Sequence, residues 1–110
     1  MKVLVFGYSD NPERYSYKAA HMLKDYKHEA VLFNPRLDDP KTIDKTFETI
    51  TLYVGKEVSN KFTDFLLGLK IKRVIFNPGT ENESLEAKFN SSGVEVIHGC
   101  TLVMLKTDQF

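Results

Sequence analysis

The chain is poor in the residues that would announce a chemistry. Its 110 residues include one cysteine, Cys100, which excludes an intramolecular disulfide and any cysteine-based metal cluster. Fifteen basic and fifteen acidic side chains leave a formal net charge of zero. No global field therefore draws the chain to nucleic acid or to a membrane surface, and an anionic ligand must be held by a local arrangement. Glycines are few, and the G-x-G-x-x-G loop of dinucleotide-binding proteins is missing, because only Gly7 follows the first strand. There is no leader-like segment and no long apolar span, so the chain is expected to be cytoplasmic. Its length gives one domain, residues 1–110, able to bury about two thirds of its unfolded surface.

What is present is an orderly alternation. Lys2 to Phe6 is an apolar run of strand length, ended by Gly7 and a polar loop. Ser16 to Lys27 then carries Ala19, Ala20, Leu23 and Tyr26 on one helical face, with Ser16 as a candidate cap. Ala30 to Phe33 is a second strand, stopped by Asn34-Pro35, and Asp39-Pro40 predicts a short helix with Ile43 and Phe47 on its buried side. Thr49 to Val54 is a third strand. Val58, Phe62, Phe65, Leu66 and Leu69 repeat at the spacing of one amphipathic helix. Arg73 to Phe76 is a fourth strand, cut off by Asn77-Pro78-Gly79. Thr80 to Glu83 fits a capping box for a helix using Leu85 and Phe89 and ending at Gly93. Val94 to Ile97 is a fifth strand, and Cys100 to Lys106 is expected to be a short helix closing over the sheet edge.

Strands alternating with helices predict an α/β fold, a doubly wound parallel sheet of five strands ordered 3-2-1-4-5 with helices on both faces. Ligands bind such sheets beyond the carboxyl ends of the strands, here at a switch point between the first and fourth. Two helix starts, near Ser16 and near Glu81, would point unpaired N–H groups into one crevice, an arrangement suited to phosphate. The second strand ends in Asn34-Pro35-Arg36 and not in the carboxylate that would grip a ribose diol; Asp38 and Asp39 lie too far along. Plain NAD is disfavoured, whereas NADP and coenzyme A, each with a phosphorylated ribose, stay open.

Several segments resemble one family: Gly7 to Tyr17, Asn34-Pro35, Thr49 to Val54, Arg73 to Asn82 and Cys100 to Leu105. Together, and in this order, they resemble the small single-domain CoA-binding proteins, themselves similar to the nucleotide-binding domain of the succinyl-CoA synthetase α subunit. The resemblance implies a Rossmann-like domain that binds coenzyme A or an acyl-CoA. By position, Gly7, Ser9, Asn11, Pro12 and Tyr15 would form the pyrophosphate loop, and Asn34, Pro35 and Arg36 would receive the phosphorylated ribose and adenine. Tyr53 and Val54 would line the crevice, and Asn77, Pro78 and Gly79 its far wall. The stretch Arg36 to Glu48 is shorter than the family pattern, which implies a reduced adenine side. Gly55-Lys56 stands where relatives often have Asn-Pro, and an exposed Lys56 is the simpler reading.

A catalytic set is harder to assemble. His98 and Cys100 suggest a nucleophile pair, but no third group orients them. His21, His28 and His98 lack metal-ligand spacing, and Glu81 and Glu83 are explained by helix capping. Tyr8, Tyr15, Tyr17 and Tyr53 gather near loop ends, where they would stack on adenine or pack at the sheet edge. Synthetase-like chemistry would need a phosphorylatable histidine in a second domain. The expectation is a non-catalytic nucleotide-binding module. The alternatives are an NADP-dependent reductase or acyl-transfer enzyme, and a regulatory or interaction domain whose pocket has decayed. No nucleic acid or membrane partner is expected, and a protein partner is left open.

Overall fold

A computed structural model describes all residues 1–110. Five parallel strands, β1 (Lys2–Phe6), β2 (Glu29–Phe33), β3 (Thr49–Leu52), β4 (Arg73–Phe76) and β5 (Glu95–His98), alternate with five helices. These are α1 (Tyr15–Asp25), α2 (Lys56–Lys61), α3 (Thr63–Leu67), α4 (Glu83–Ser91) and α5 (Thr101–Lys106). The α/β class and all five strands match the sequence reading, although β3 stops at Leu52, two residues short of Val54, and β2 and β5 are shifted by one residue at their ends.

The strand order is not the expected 3-2-1-4-5. β3 lies across β1 from β2, giving β2-β1-β3-β4-β5. Burial supplies the reason. All four residues of β3 are buried, whereas β2 begins at exposed Glu29 and is fully buried only at Phe33. A strand covered on both faces belongs inside the sheet, and one with a charged, half-exposed start is better placed at an edge. The link between them holds a single 3-10 turn, Pro40–Thr42, not the short α-helix that Asp39-Pro40 suggests. Asp39 does cap it, its Oδ1 accepting from Lys41 N–H at 2.9 Å.

This reversal decides the layers. Parallel connections are right-handed, so stepping from β1 to β2 puts α1 on one face. Stepping back through β3, β4 and β5 puts α2, α3 and α4 on the other. Val3 and Val5 accordingly pack with Ala20, Leu23 and Leu105, while Leu4 and Phe6 pack with Leu66, Leu85 and Phe89. Alternate residues of one strand thus feed two cores, each buried leucine or phenylalanine contributing about 1.5–3 kcal/mol. The last helix does not close the sheet edge. α5 lies beside α1 over the central strands, with Thr101 Oγ1 2.7 Å from Thr51 Oγ1 on β3.

Two helix readings are corrected by local hydrogen bonding. The single amphipathic helix through Val58 and Leu69 is broken at Phe62 (φ −112°, ψ 16°) into α2 and α3. Thr63 Oγ1 donates back to the carbonyls of Ser59 and Asn60, a local bond that competes with a straight helix. The break lets Phe62 meet the Phe6 ring edge-on at 5.4 Å. The capping box is displaced as well: Asn82, not Thr80, is the N-cap of α4, its Oδ1 accepting from Leu85 N–H while Glu86 Oε2 accepts from Asn82 N–H.

Gly7, just past the end of β1, is the most closely enclosed of the glycines. Its φ is +101°, and a Cβ there would stand 2.7 Å from Val54 Cγ1 and 2.9 Å from the Tyr53 carbonyl carbon. Gly7→Ala is therefore expected to cost roughly 2–4 kcal/mol through backbone strain and overpacking, lowering Tm by about 10 °C or more. Gly55 has open space around its Cα and an ordinary φ of −73°. Thermal unfolding should show Gly55→Ala near wild type; similar losses for both variants would refute the wedge.

Candidate functional site

The carboxyl ends of the strands open at the reversal between β1 and β3, not between the first and fourth strands, because β3 takes the place beside β1. Two adjoining basins lie there. One, of about 360 Å³, is bounded by Gly7, Ser9, the start of α1, the Tyr53–Gly55 turn and Pro78–Thr80. The other, of about 300 Å³, shares Gly7, Ser9, Arg14, Tyr53, Val54 and Gly55 with it and runs out to Asn34, Pro35 and Arg36. Gly7 can lie against the Tyr53–Val54 backbone because it lacks a side chain, and that contact forms the saddle between them.

Following each N–H shows what this crevice offers an anion. The loop after β1 is largely self-satisfied. Gly7 and Tyr8 donate to the Phe33 carbonyl, Ser9 N–H to Ser16 Oγ, Asn11 N–H to Ser9 Oγ and Glu13 N–H to Asn11 Oδ1. Ser16 is therefore not the cap of α1: it sits inside the first turn and holds the loop. The N-cap is Arg14, with no side-chain cap and no acidic residue in the first turn. The N–H groups of Tyr15, Ser16 and Tyr17 have no protein partner. An uncapped helix start with an arginine beside it is a local positive pole in a neutral chain.

The expected second helix start does not contribute. α4 is capped by Asn82 and Glu86 and none of its residues lines either basin, and Gly79 N–H is already taken by Glu81 Oε2 at 3.2 Å. The loop Pro78–Gly79 still forms a wall of the larger basin. Asn77 does not line it. Buried at 3% exposure, its Nδ2 donates to Thr51 Oγ1 and the Leu52 carbonyl and its Oδ1 accepts from Thr101 N–H. Asn77 is a rivet between β3, β4 and α5.

Among the other residues singled out by sequence, Gly7, Tyr8, Ser9, Tyr15, Ser16, Asn34, Pro35, Arg36, Tyr53, Val54, Pro78 and Gly79 all line one basin or both. Asn11 and Pro12 do not; they lie at the exposed crest of the loop. Asn34 shapes its turn, Oδ1 accepting from Arg36 N–H while Asp38 Oδ2 accepts from Asn34 N–H. Asp38 is thus spent on the turn, and exposed Arg36 faces the second basin. The sequence reading missed Glu13, Arg14, Val58 and Thr80, which also line the crevice. Arg14 had a signal: a basic residue at the start of a helix, where acids are ordinarily favoured.

The nucleophile pair is not assembled. His98 Nε2 lies 2.6 Å from Glu86 Oε1, with its ring stacked on Phe76, and half-buried Cys100 is the N-cap of α5. His21 packs on Tyr17, and His28 lies by Phe110. The Tyr53 phenol is buried without a hydrogen-bond partner. Burial pushes its pKa up to about 12, with the nearby Thr101 and Thr51 hydroxyls, which bond each other, acting in the opposite direction.

The sequence model of a family described as the CoA binding domain matches residues 1–106. The crystal structure of an uncharacterized protein is 37% identical, with a TM-score of 0.92 over 99% of this chain and 97% of its own. A Thermus thermophilus protein is 14% identical, with a TM-score of 0.87 over 99% and 90% of the two chains. A hypothetical protein from Pyrococcus horikoshii is 20% identical, with a TM-score of 0.81 over 96% and 81%. No curated protein matches.

An orphaned hydroxyl is a liability the fold can lose. Tyr53→Phe is expected to raise stability by about 0.5–1.5 kcal/mol. Because the folded pKa lies above the ordinary value of 10, wild-type stability is retained below pH 10 and lost as pH rises towards 12. Denaturant unfolding at pH 7 and pH 11 should show that alkaline loss reduced in Tyr53→Phe; an unchanged loss would place the phenol in water.

Proposed function

Because the chain belongs to the CoA-binding domain family, we propose that it is a non-catalytic module that binds coenzyme A or an acyl-CoA through its phosphates at the carboxyl edge of the sheet. The observation that carries the reading is the start of α1: three unpartnered N–H groups beside Arg14, opening onto a crevice at the β1–β3 reversal. Each charge-assisted bond to a phosphate would contribute about 1.5–3 kcal/mol. In this reading the pyrophosphate lies against the α1 start and the saddle at Gly7 and Ser9. Arg36, in the turn Asn34 holds, meets the ribose phosphate in the second basin. When bound, the coenzyme supplies a thiol or thioester; the chain's part is to hold it. The shortened Arg36–Glu48 link leaves the second basin open at about 300 Å³, which supports a retained pocket over a decayed one.

Calorimetry with coenzyme A and dephospho-coenzyme A tests this. Coenzyme A is expected to bind more tightly. Arg36→Ala should weaken coenzyme A roughly tenfold and leave dephospho-coenzyme A unchanged, whereas Arg14→Ala should weaken both by a similar factor. Equal wild-type affinities would remove Arg36 from its role. Absence of heat and of any thermal shift with either ligand would remove the reading, and turnover of NADPH or of a thioester lost on changing Tyr15 or Cys100 would replace it with an enzyme.

A further inference from the structure

The second basin joins an apolar lining to one side chain able to read the edge of a base. Tyr8, Pro35, Val54 and Val58, each half-buried, reach it from the ends of β1, β2 and β3 and from α2. The Tyr8 ring is stacked on Tyr17, with centroids 6.4 Å apart and planes 21° from parallel, and its N–H is held by the Phe33 carbonyl at 2.9 Å. Such a lining takes the flat face of any nucleobase, because stacking is indifferent to which base it is. Selection must come from hydrogen bonds to the base edge. Arg14 and Arg36 only donate, and no carboxylate lines this basin. Asn34 alone among its side chains carries a donor and an acceptor on separate atoms of one plane. That amide sits in a turn fixed by its own bonds. Oδ1 accepts from Arg36 N–H at 2.9 Å, which assigns the oxygen and leaves it a second lone pair. Asn34 N–H donates to Asp38 Oδ2 at 2.7 Å, and the Asn34 carbonyl accepts from the N–H groups of Leu37 and Asp38 at 3.0 and 2.8 Å. Nδ2 donates to no atom of the chain.

We infer that Asn34 makes the site selective for adenine: Nδ2 donates to N7 of the base and Oδ1 accepts from its N6 amino group, with the base held in the second basin against Tyr8 and Val58. The inference rests on the coenzyme A reading above and adds to it the residue that identifies the nucleotide. Adenine presents that acceptor and donor side by side, whereas guanine replaces the amino group with an oxygen that would face Oδ1. Guanine's own donors, N1–H and the N2 amino group, would find no carboxylate here. A bidentate amide–adenine pair discriminates by roughly tenfold or more. The role is separate from that of Arg36, because a phosphate contact positions a nucleotide without distinguishing its base.

The experiment compares coenzyme A with its etheno derivative by calorimetry on the wild-type chain and on Asn34→Ser. In the derivative a two-carbon bridge joins N1 to the N6 nitrogen, so the amino group is lost while every phosphate is kept. The serine hydroxyl still accepts from Arg36 N–H and holds the turn, but it is too short to pair with the base at two atoms. Asn34→Thr offers the same hydroxyl and is read in the same way if the serine chain does not fold. Wild type is expected to bind coenzyme A about tenfold more tightly than the derivative. In Asn34→Ser the gap should close to within about twofold, through loss of affinity for coenzyme A with the derivative little changed. Equal affinities in wild type, or a gap that persists in Asn34→Ser because the added ring is too large for the basin, overturn the reading of the base while the coenzyme A reading stands. Failure of both ligands to bind wild type overturns both.

Discussion

The close approach of Gly7 to the backbone of Tyr53 and Val54 is the constraint on which the rest of the structure depends. At that point β1 has ended, the chain must turn with φ at +101°, and β3 passes too near for any side chain. The same residue donates to the carbonyl that ends β2, so three strands are gathered at one backbone. Beyond it the polypeptide has to leave the sheet, and the space it vacates is the crevice. A larger residue would separate β1 from β3 and, with them, the two walls that face a ligand.

Around that point the fold is economical with its polar groups. The loop after β1 satisfies nearly all its own N–H groups through Ser9, Asn11 and Ser16, which makes it a fixed shape before any ligand arrives. The start of α1 is left open, and that is where attraction for an anion is concentrated. Opposite it, Asn77 spends every polar atom of its side chain on holding β3 and α5 to β4. Rigid walls with one open pole hold an anion at low cost in conformational freedom. A chain of zero net charge can therefore carry a strong local preference.

Much of the fold was legible because it rests on short-range regularities. The apolar run of β1, the glycine and proline stops after the strands, and the Leu85–Phe89 face of α4 are all properties of neighbouring residues, and they survive into the structure. Readings that needed to know what lay nearby in space were less secure. Thr80 and Asn82 are both good caps by type; which one caps α4 depends on Ser59 and Asn60 receiving the Asn82 amide from another helix. Asn77 reads as a loop residue at a site, yet Thr51 and Thr101, dozens of residues away in either direction, turn it inward.

The sequence by itself determined the five strands and their alternation with helices, the glycine at the saddle and the turn that carries Arg36, because side-chain spacing and φ preference act within a few residues. Only the tertiary structure decided that β3 crosses to the far side of β1, that the start of α1 borders the crevice while α4 does not, and that Asn77 turns inward to hold β3 and α5. Those outcomes depend on which strand is buried on both faces and which polar groups find partners across the sheet, and neither is encoded in the spacing of residues along a single segment.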